Sequence, residues 1–475
     1  MRRNFRLSWS DEFAGFDLGD KRVNRRFIQV LNDFTKDPAA PILKASQSWA
    51  GAKGAYRLMD QEKFSSEKVW AHHAEQSLER MRSEDVVLLL SDTTVLNFQS
   101  HLALKGAGRI GKKLKGAGES AGFYVHTILA VTPERVPLGI LDQKLWTRDH
   151  GKEKKGTNRL SYMVPFLEKE SSRWAVNLER GLQSVDTKAR QKFVVVSDRE
   201  SDINAYLGSN LESGVHFVVR GSKCRKEFIS SERIHEFMQA RPVAGTYDLT
   251  VVQRYKPSGD MREPKVRLLE PLVRKAKIQV RFSEVILSVA DLQENKRPER
   301  LYCIYVSEEC SDVDYPIDWI LLTNLPITNF KEAKKVIGYY STRWLIEVFH
   351  KMLKTNGCRI EDCLLQTKER VERYLTMESL VALKLTQLTY YHRFAPSTPC
   401  TKIVDDITWK ALVGYVKKTR LPGKKAPTAA EFTVMIAKLG GYPARSSDPP
   451  PGPLVLRRGW EKLGNIVEAY EMWCT

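Results

Sequence analysis

Short apolar runs that end in acidic residues set the rhythm of the first half of the chain. Residues 86–90 (Val-Val-Leu-Leu-Leu) run into Ser91-Asp92-Thr93-Thr94, which predicts a buried strand delivering a carboxylate at its end. Strand-like runs follow at 123–131 and 138–146, then a helical stretch over 167–182. Residues 193–197 (Phe-Val-Val-Val-Ser) lead to Asp198 and predict a second strand tipped by an acid. A helix over 202–211 and a strand over 216–220 complete an alternation of strands and helices. That pattern implies an α/β layer with its site at the strand ends.

Residues 221–316 break the alternation. Strand-like segments at 245–254, 277–290 and 300–306 follow one another without long helices, in a stretch rich in Lys and Arg. This predicts a β-rich lobe with a basic surface. The α/β texture resumes with a strand over 319–323 and a long helix over about 331–357. Helices continue over 361–393, and a last helical unit is interrupted by Pro449-Pro450-Pro451-Gly452-Pro453. At the other end, Gly19-Asp20 precedes Lys21, Arg22, Arg25 and Arg26, then the periodic apolar residues Phe27, Ile28, Val30, Leu31 and Phe34. Asp20 is the expected cap of that helix. Four cations in its opening turns oppose the helix dipole, which points to an anionic partner; a solvated basic face is the plainer alternative.

Composition sharpens this picture. At 475 residues, 42% hydrophobic and 28% charged, the chain is expected to be soluble and built from several domains. Lys and Arg number 76 against 57 Asp and Glu, a formal charge of +19, which favours a polyanion through release of its counterions. The seven cysteines are scattered without a Cys-x2-Cys pair, so free thiols in a reducing cytoplasm are expected rather than a zinc site. The opening residues lack the apolar stretch of a signal peptide, and no run approaches the ~18 apolar residues of a membrane span. The expected location is inside the cell, without a membrane partner.

Two other motifs fail on context. Gly118-Glu119-Ser120-Ala121-Gly122 has the spacing of a nucleophile elbow, but a Gly/Lys-rich loop precedes it and a strand follows. Residues 106–113 approach a phosphate-binding loop, but Lys113 stands where Ser or Thr belongs. No nucleotide cofactor is expected. Lys105, Arg109, Lys112, Lys113 and Lys115 among these glycines suit a loop over a phosphate backbone.

The 331–357 helix is the most informative segment. At 100° per residue Tyr340, Arg343, Glu347, His350, Lys351 and Lys354 share one face, while Leu345, Phe349, Met352 and Leu353 fill the opposed one. Alone, the polar face is also what a stripe of i,i+4 ion pairs looks like. With Asp92 and Asp198 it becomes a set of three carboxylates suited to hard divalent cations. Two Mg²⁺ ions about 3.5–4 Å apart, with Mn²⁺ as a substitute, are the expected cofactors for phosphodiester chemistry.

The spacing Tyr340-x2-Arg343-x3-Glu347-x6-Lys354 resembles the Y-x2-R-x3-E-x6-K signature of the transposases of insertion-sequence family four. Asp198-Arg199-Glu200-Ser201-Asp202 is similar to that family's segment around the second acid, and Ser91-Asp92-Thr93-Thr94 to the segment around the first. Gly54-Ala55-Tyr56-Arg57, the strands at 217–220 and 319–323, and residues 436–441 extend the resemblance along nearly the whole chain.

It implies an α/β, ribonuclease-H-like catalytic core over 71–370 with the β-rich lobe inserted at about 222–316. It also implies an N-terminal helical end-binding domain over 1–70 and a C-terminal helical dimerisation domain over 371–475. Asp92, Asp198 and Glu347 would be the catalytic metal ligands. Trp319 would stack on a flipped base, with Tyr340, Arg343 and Lys354 on nearby phosphates. Arg220, His350, Lys351, Lys21, Arg22, Arg25 and Arg26 would be further DNA contacts. The partners implied are double-stranded DNA, as terminal inverted repeats and target, and a second copy of the chain in a synaptic homodimer. The reaction implied is cut-and-paste transposition through a hairpin. A structure-selective nuclease on the same core, or a silent DNA-binding regulator, are the competing readings.

Overall fold

The computed structural model describes residues 9–110, 120–148, 164–256, 266–309, 316–419 and 422–474. The chain opens with helices α1 (Trp9–Glu12), α2 (Lys21–Lys36), α3 (Ile42–Ala45), α4 (Trp49–Asp60) and α5 (Ser66–Arg80). Strands β1 (Val87–Asn97), β2 (Gly108–Arg109), β3 (Ala121–Val131) and β4 (Pro137–Trp146) follow. Next come α6 (Arg173–Gly181), β5 (Phe193–Ser197), α7 (Asn204–Glu212), β6 (His216–Gly221) and α8 (Ile234–Gln239). Long strands β7 (Gly245–Lys256), β8 (Val266–Ala290) and β9 (Lys296–Glu308) lead to β10 (Asp318–Thr323). Helices α9 (Phe330–Thr342) and α10 (Trp344–Lys351), a π-helical turn (Met352–Asn356), α11 (Lys368–Phe394), α12 (Asp406–Lys417), α13 (Ala429–Leu439) and α14 (Pro453–Cys474) complete it.

The chain is mixed α/β and divides into two compact units. One comprises Met1–Gly156, Arg180–Ser184 and Trp344–Thr475; the other comprises Thr157–Glu179 and Val185–Arg343. In the first, β1 and β4 both pair antiparallel with β3, and β2 pairs with the start of β3. Val87 to Leu90 are fully buried, because apolar side chains on both faces of a strand require cover on both faces. Helix α11 packs on β4 of the same sheet. Its residues from Tyr374 to Tyr390 are buried on every side, as expected of a helix that runs through a core. Two buried polar side chains on it are matched: Ser379 Oγ donates to Gln143 Oε1 at 2.9 Å, and Gln387 Nε2 to the Pro137 carbonyl at 3.2 Å. Arg373 donates to the Phe64 and Met59 carbonyls, fastening the same helix to the N-terminal bundle.

The second unit has β5 and β6 parallel, joined through α7, since parallel strands need a crossover. The order continues β6-β10-β9-β8-β7, each pair antiparallel. Helix α7 lies so close to β8 that a Cβ on Gly208 would stand 1.6 Å from the Ala290 carbonyl oxygen.

Local structure departs from the sequence-based expectation in four places. Strand β1 runs past Asp92 to Asn97, so Asp92 sits within a ladder opposite Thr127 rather than at a tip. β-branched Thr93, Thr94 and Val95 explain the continuation. The 331–357 helix is two α-helices with Arg343 between them, ending in a π-helical turn. In 167–182 only Arg173–Gly181 is α-helical, preceded by 3-10 turns at Phe166–Glu168 and Glu170–Ser172. Strand β8 begins at Val266, ahead of the expected 277. Lys112, Lys113, Lys115, Gly118 and Glu119 lie outside the described residues. Among those described, no helix is long and apolar enough to cross a membrane.

Candidate active site and nucleic-acid interface

Asp92 is half-buried on β1, and its Oδ1 accepts a hydrogen bond from the Thr93 amide at 2.8 Å. Its neighbours Ser91 and Thr93 face the other side of the strand. There the fully buried His126 of β3 bridges them, with Nε2 3.0 Å from Ser91 Oγ and Nδ1 2.9 Å from Thr93 Oγ1. Glu347 is half-buried on α10, which packs against β1 in the same unit. Leu345, Ile346, Phe349, Met352 and Leu353 seat this segment, as the apolar pattern predicts.

Asp198 belongs to the second unit, directly after β5. It caps the 3-10 turn Arg199–Ser201 by accepting from the Glu200 amide at 2.9 Å. The nearby Asp202 has a buried carboxylate that anchors the chain beyond β6, accepting from Arg225 at 2.7 Å and from the Ser222 amide at 2.8 Å. Asp92, Asp198 and Glu347 are hard oxygen donors, each half-buried and so reachable by an ion from solvent, and this donor chemistry suits Mg²⁺ or Mn²⁺. Among the described residues, no group of three or more His, Cys, Asp or Glu side chains is gathered as a metal cluster.

Three other expected site residues meet in the second unit. The Trp319 and Tyr340 rings stand edge to face with centroids 5.3 Å apart, and the Arg343 guanidinium lies 6.0 Å from the Tyr340 ring. Trp319 is half-buried on β10, whereas Tyr340 is buried. Arg220 is half-buried on β6, opposite Leu321 in the ladder.

On α10 and the turn after it, His350 is buried against Phe349, and Lys351 is exposed. The Lys351 ammonium lies 4.7 Å from the ring of Trp344, an exposed aromatic that the sequence pattern did not single out. Lys354 donates to the Val95 carbonyl at 2.6 Å and pairs with Glu361 at 3.3 Å. Glu361 in turn accepts from the Asn97 amide, so both residues tie the helical segment to the end of β1.

The N-terminal basic residues lie on α2, capped as expected by Asp20, which accepts from the Arg22 amide at 2.9 Å. That bond holds the Asp20 carboxyl down at about 2. Lys21, Arg22 and Arg25 are exposed, and Arg26 is half-buried. Arg22 and Arg26 form one wall of a cleft of about 480 Å³, and Lys53 and Arg57 of α4 line it as well. A Cβ on Gly54 would stand 2.5 Å from the Arg26 guanidinium, so the glycine leaves room for that side chain beside α4. Sequence reasoning missed Lys53 and Arg57. Their i,i+4 spacing was visible, but the cleft they share with α2 depends on helix packing.

Residues 7–64 match the family model described as transposase DNA-binding, and residues 179–383 match the transposase DDE domain. These are the two domains of a DNA transposase. The α2–α4 cleft falls inside the DNA-binding match, and that match supports DNA as a partner of the chain. Asp198, Trp319, Tyr340, Arg343, Glu347 and Lys354 fall inside the DDE domain, a DNA-cleaving, transposition-catalysing unit. Asp92 precedes the matched segment.

Proposed function

We propose that the chain is a cut-and-paste transposase of insertion-sequence family four. It binds terminal inverted repeats, cleaves them through a hairpin, and joins the 3′-OH ends to target DNA. The observation that carries this reading is the Tyr340-Arg343-Glu347-Lys354 spacing within a DDE-domain match, in a chain that also has a transposase DNA-binding match. In this reading residues 71–370 form a ribonuclease-H-like core with an insertion at about 222–316. Residues 1–70 read the end, and 371–475 serve a homodimer.

Asp92, Asp198 and Glu347 would hold the divalent cations. When bound, Mg²⁺ supplies the positive charge that favours an attacking oxygen and stabilises a leaving one. Hydrolysis nicks one strand, the freed 3′-OH displaces the opposite strand as a hairpin, and water reopens it. Lys21, Arg22, Arg25 and Arg26, with Lys53 and Arg57, neutralise phosphates of the end duplex. Arg343 and Tyr340 hold phosphates beside the base that leaves the stack, and Trp319 offers that base a ring face. Arg220, His350, Lys351 and Lys354 complete the proposed contacts. Lys354 would exchange its bond to Val95 for a phosphate, and His350 would require rearrangement of its buried ring.

The test uses linear DNA carrying the element's inverted repeat and flank, incubated with Mg²⁺ and resolved on a denaturing gel. A hairpin-sized product that depends on metal and is lost in Glu347→Ala, with end binding retained, supports the proposal. Nicks without hairpins would instead favour a structure-selective nuclease, and binding without cutting a silent regulator.

A further inference from the structure

β1 and β3 hold Asp92 from both faces. On the face away from it, one imidazole bridges the hydroxyls of Ser91 and Thr93, the residues on either side. On its own face Thr127 stands directly opposite in the ladder, and accepts from Gln143 Nε2 at 3.0 Å. Gln143 in turn accepts from Ser379 Oγ at 2.9 Å. His126, Thr127, Ser91 and Ser379 are at most 1% exposed.

Polar groups at such depth cost free energy unless hydrogen-bonded, and apolar side chains of similar shape would fill a merely structural face as well. What a satisfied buried network adds is one fixed arrangement. A neutral imidazole donates from one ring nitrogen and accepts at the other, so it serves both hydroxyls without a charge. A one-residue slip of β1 would turn Asp92 to the opposite face, and these bonds oppose that slip.

We infer that His126 is a positioning residue for the metal-ligand carboxylate of Asp92, acting through Ser91 and Thr93. The inference rests on the reading of Asp92 as a metal ligand. His126 touches neither DNA nor ion in this assignment; it sets where the carboxylate stands. Groups hydrogen-bonded directly to a metal ligand govern its affinity by about 10–100-fold; His126 acts one residue further out, so a smaller effect is expected.

The experiment titrates Mn²⁺ into the full-length protein by electron paramagnetic resonance, with end-duplex binding and thermal unfolding measured alongside. His126→Leu and the milder Thr93→Val should each weaken Mn²⁺ binding, His126→Leu by about 3- to 10-fold, at unchanged end affinity. Combined, they should cost less than the product of the two single effects, because both remove the same bond. Thr93→Val keeps the β-branched shape and decides the matter if His126→Leu does not fold. Wild-type Mn²⁺ affinity in folded Thr93→Val and His126→Leu, with Asp92→Asn weakened, overturns the inference alone. Wild-type affinity in Asp92→Asn removes Asp92 from the metal site and overturns both readings.

Discussion

Glu378 lies in the middle of α11, 1% exposed, with Oε2 lacking a hydrogen-bond partner among the described residues. Burial pushes its carboxyl up to about 8, against smaller downward effects of hydrogen bonds from Cys358 and Tyr374. In the unfolded chain the same group titrates near its ordinary value of 4.5. The folded state therefore holds this proton more tightly. Below about pH 4.5 both states are protonated and the group is neutral to stability. Between there and about pH 8 the unfolded chain sheds the proton while the folded one keeps it. Stability then falls by about 1.4 kcal/mol per pH unit, and the loss is complete above pH 8. From pH 5.5 to 7.5 the contribution is on the order of 2–3 kcal/mol. Glu378→Gln removes the titration and keeps the shape. Urea unfolding followed by tryptophan fluorescence at both pH values should show the wild type losing that much more stability than the variant. Parallel pH dependences in the two proteins would refute the argument.

Three further outcomes are expected. Glu12 is buried, yet Arg80 and His73 hold its carboxyl well below the usual range, with Arg80 Nη1 at 2.7 Å and His73 Nδ1 at 2.6 Å. Glu12→Ala leaves the half-buried Arg80 without its carboxylate and should cost about 2–4 kcal/mol in unfolding experiments at pH 7, and a loss under about 1 kcal/mol would contradict the pairing. Acid should erode the wild-type advantage, because a depressed carboxyl contributes above its unfolded pKa and loses that contribution as pH falls. Arg57→Ala should flatten the log–log salt dependence of end binding by about 0.9, and an unchanged slope would exclude a phosphate contact. Trp319→Ala should leave the first nick intact while hairpin yield falls; losing about 1–3 kcal/mol of stacking slows closure roughly 5- to 150-fold, measurable on a denaturing time course.

The strands were legible wherever apolar residues ran unbroken, as at 193–197 and 319–323, because burial on both faces leaves no other reading. The full extent of β1 was not. Ser91 to Thr94 read as a polar stop, whereas the Ser91 and Thr93 hydroxyls are both bonded to His126, some 30 residues on. The interruption at Arg343 has no glycine or proline to announce it, and Arg343 itself keeps helical backbone angles. The i,i+3/i+4 face over 340–354 therefore overstated how much of that stripe is open, as buried Tyr340 and His350 and the inward-bonded Lys354 demonstrate. Charge on α2 was legible because it is local. The opposite wall on α4 depends on how the two helices pack, which periodicity does not encode.

The bonds from Arg373 to Phe64 and Met59, and from Trp460 to the Thr35 carbonyl, have a consequence for how the molecule is made. On a ribosome the first helices emerge early, yet the residues that close their core follow some 300 positions later. At about 5–20 residues per second the wait is on the order of 15–60 seconds. Through that interval the apolar side of α2 and α4 must rely on temporary cover, so slower translation of the C-terminal third should raise the burden on chaperones without altering a single contact in the finished protein.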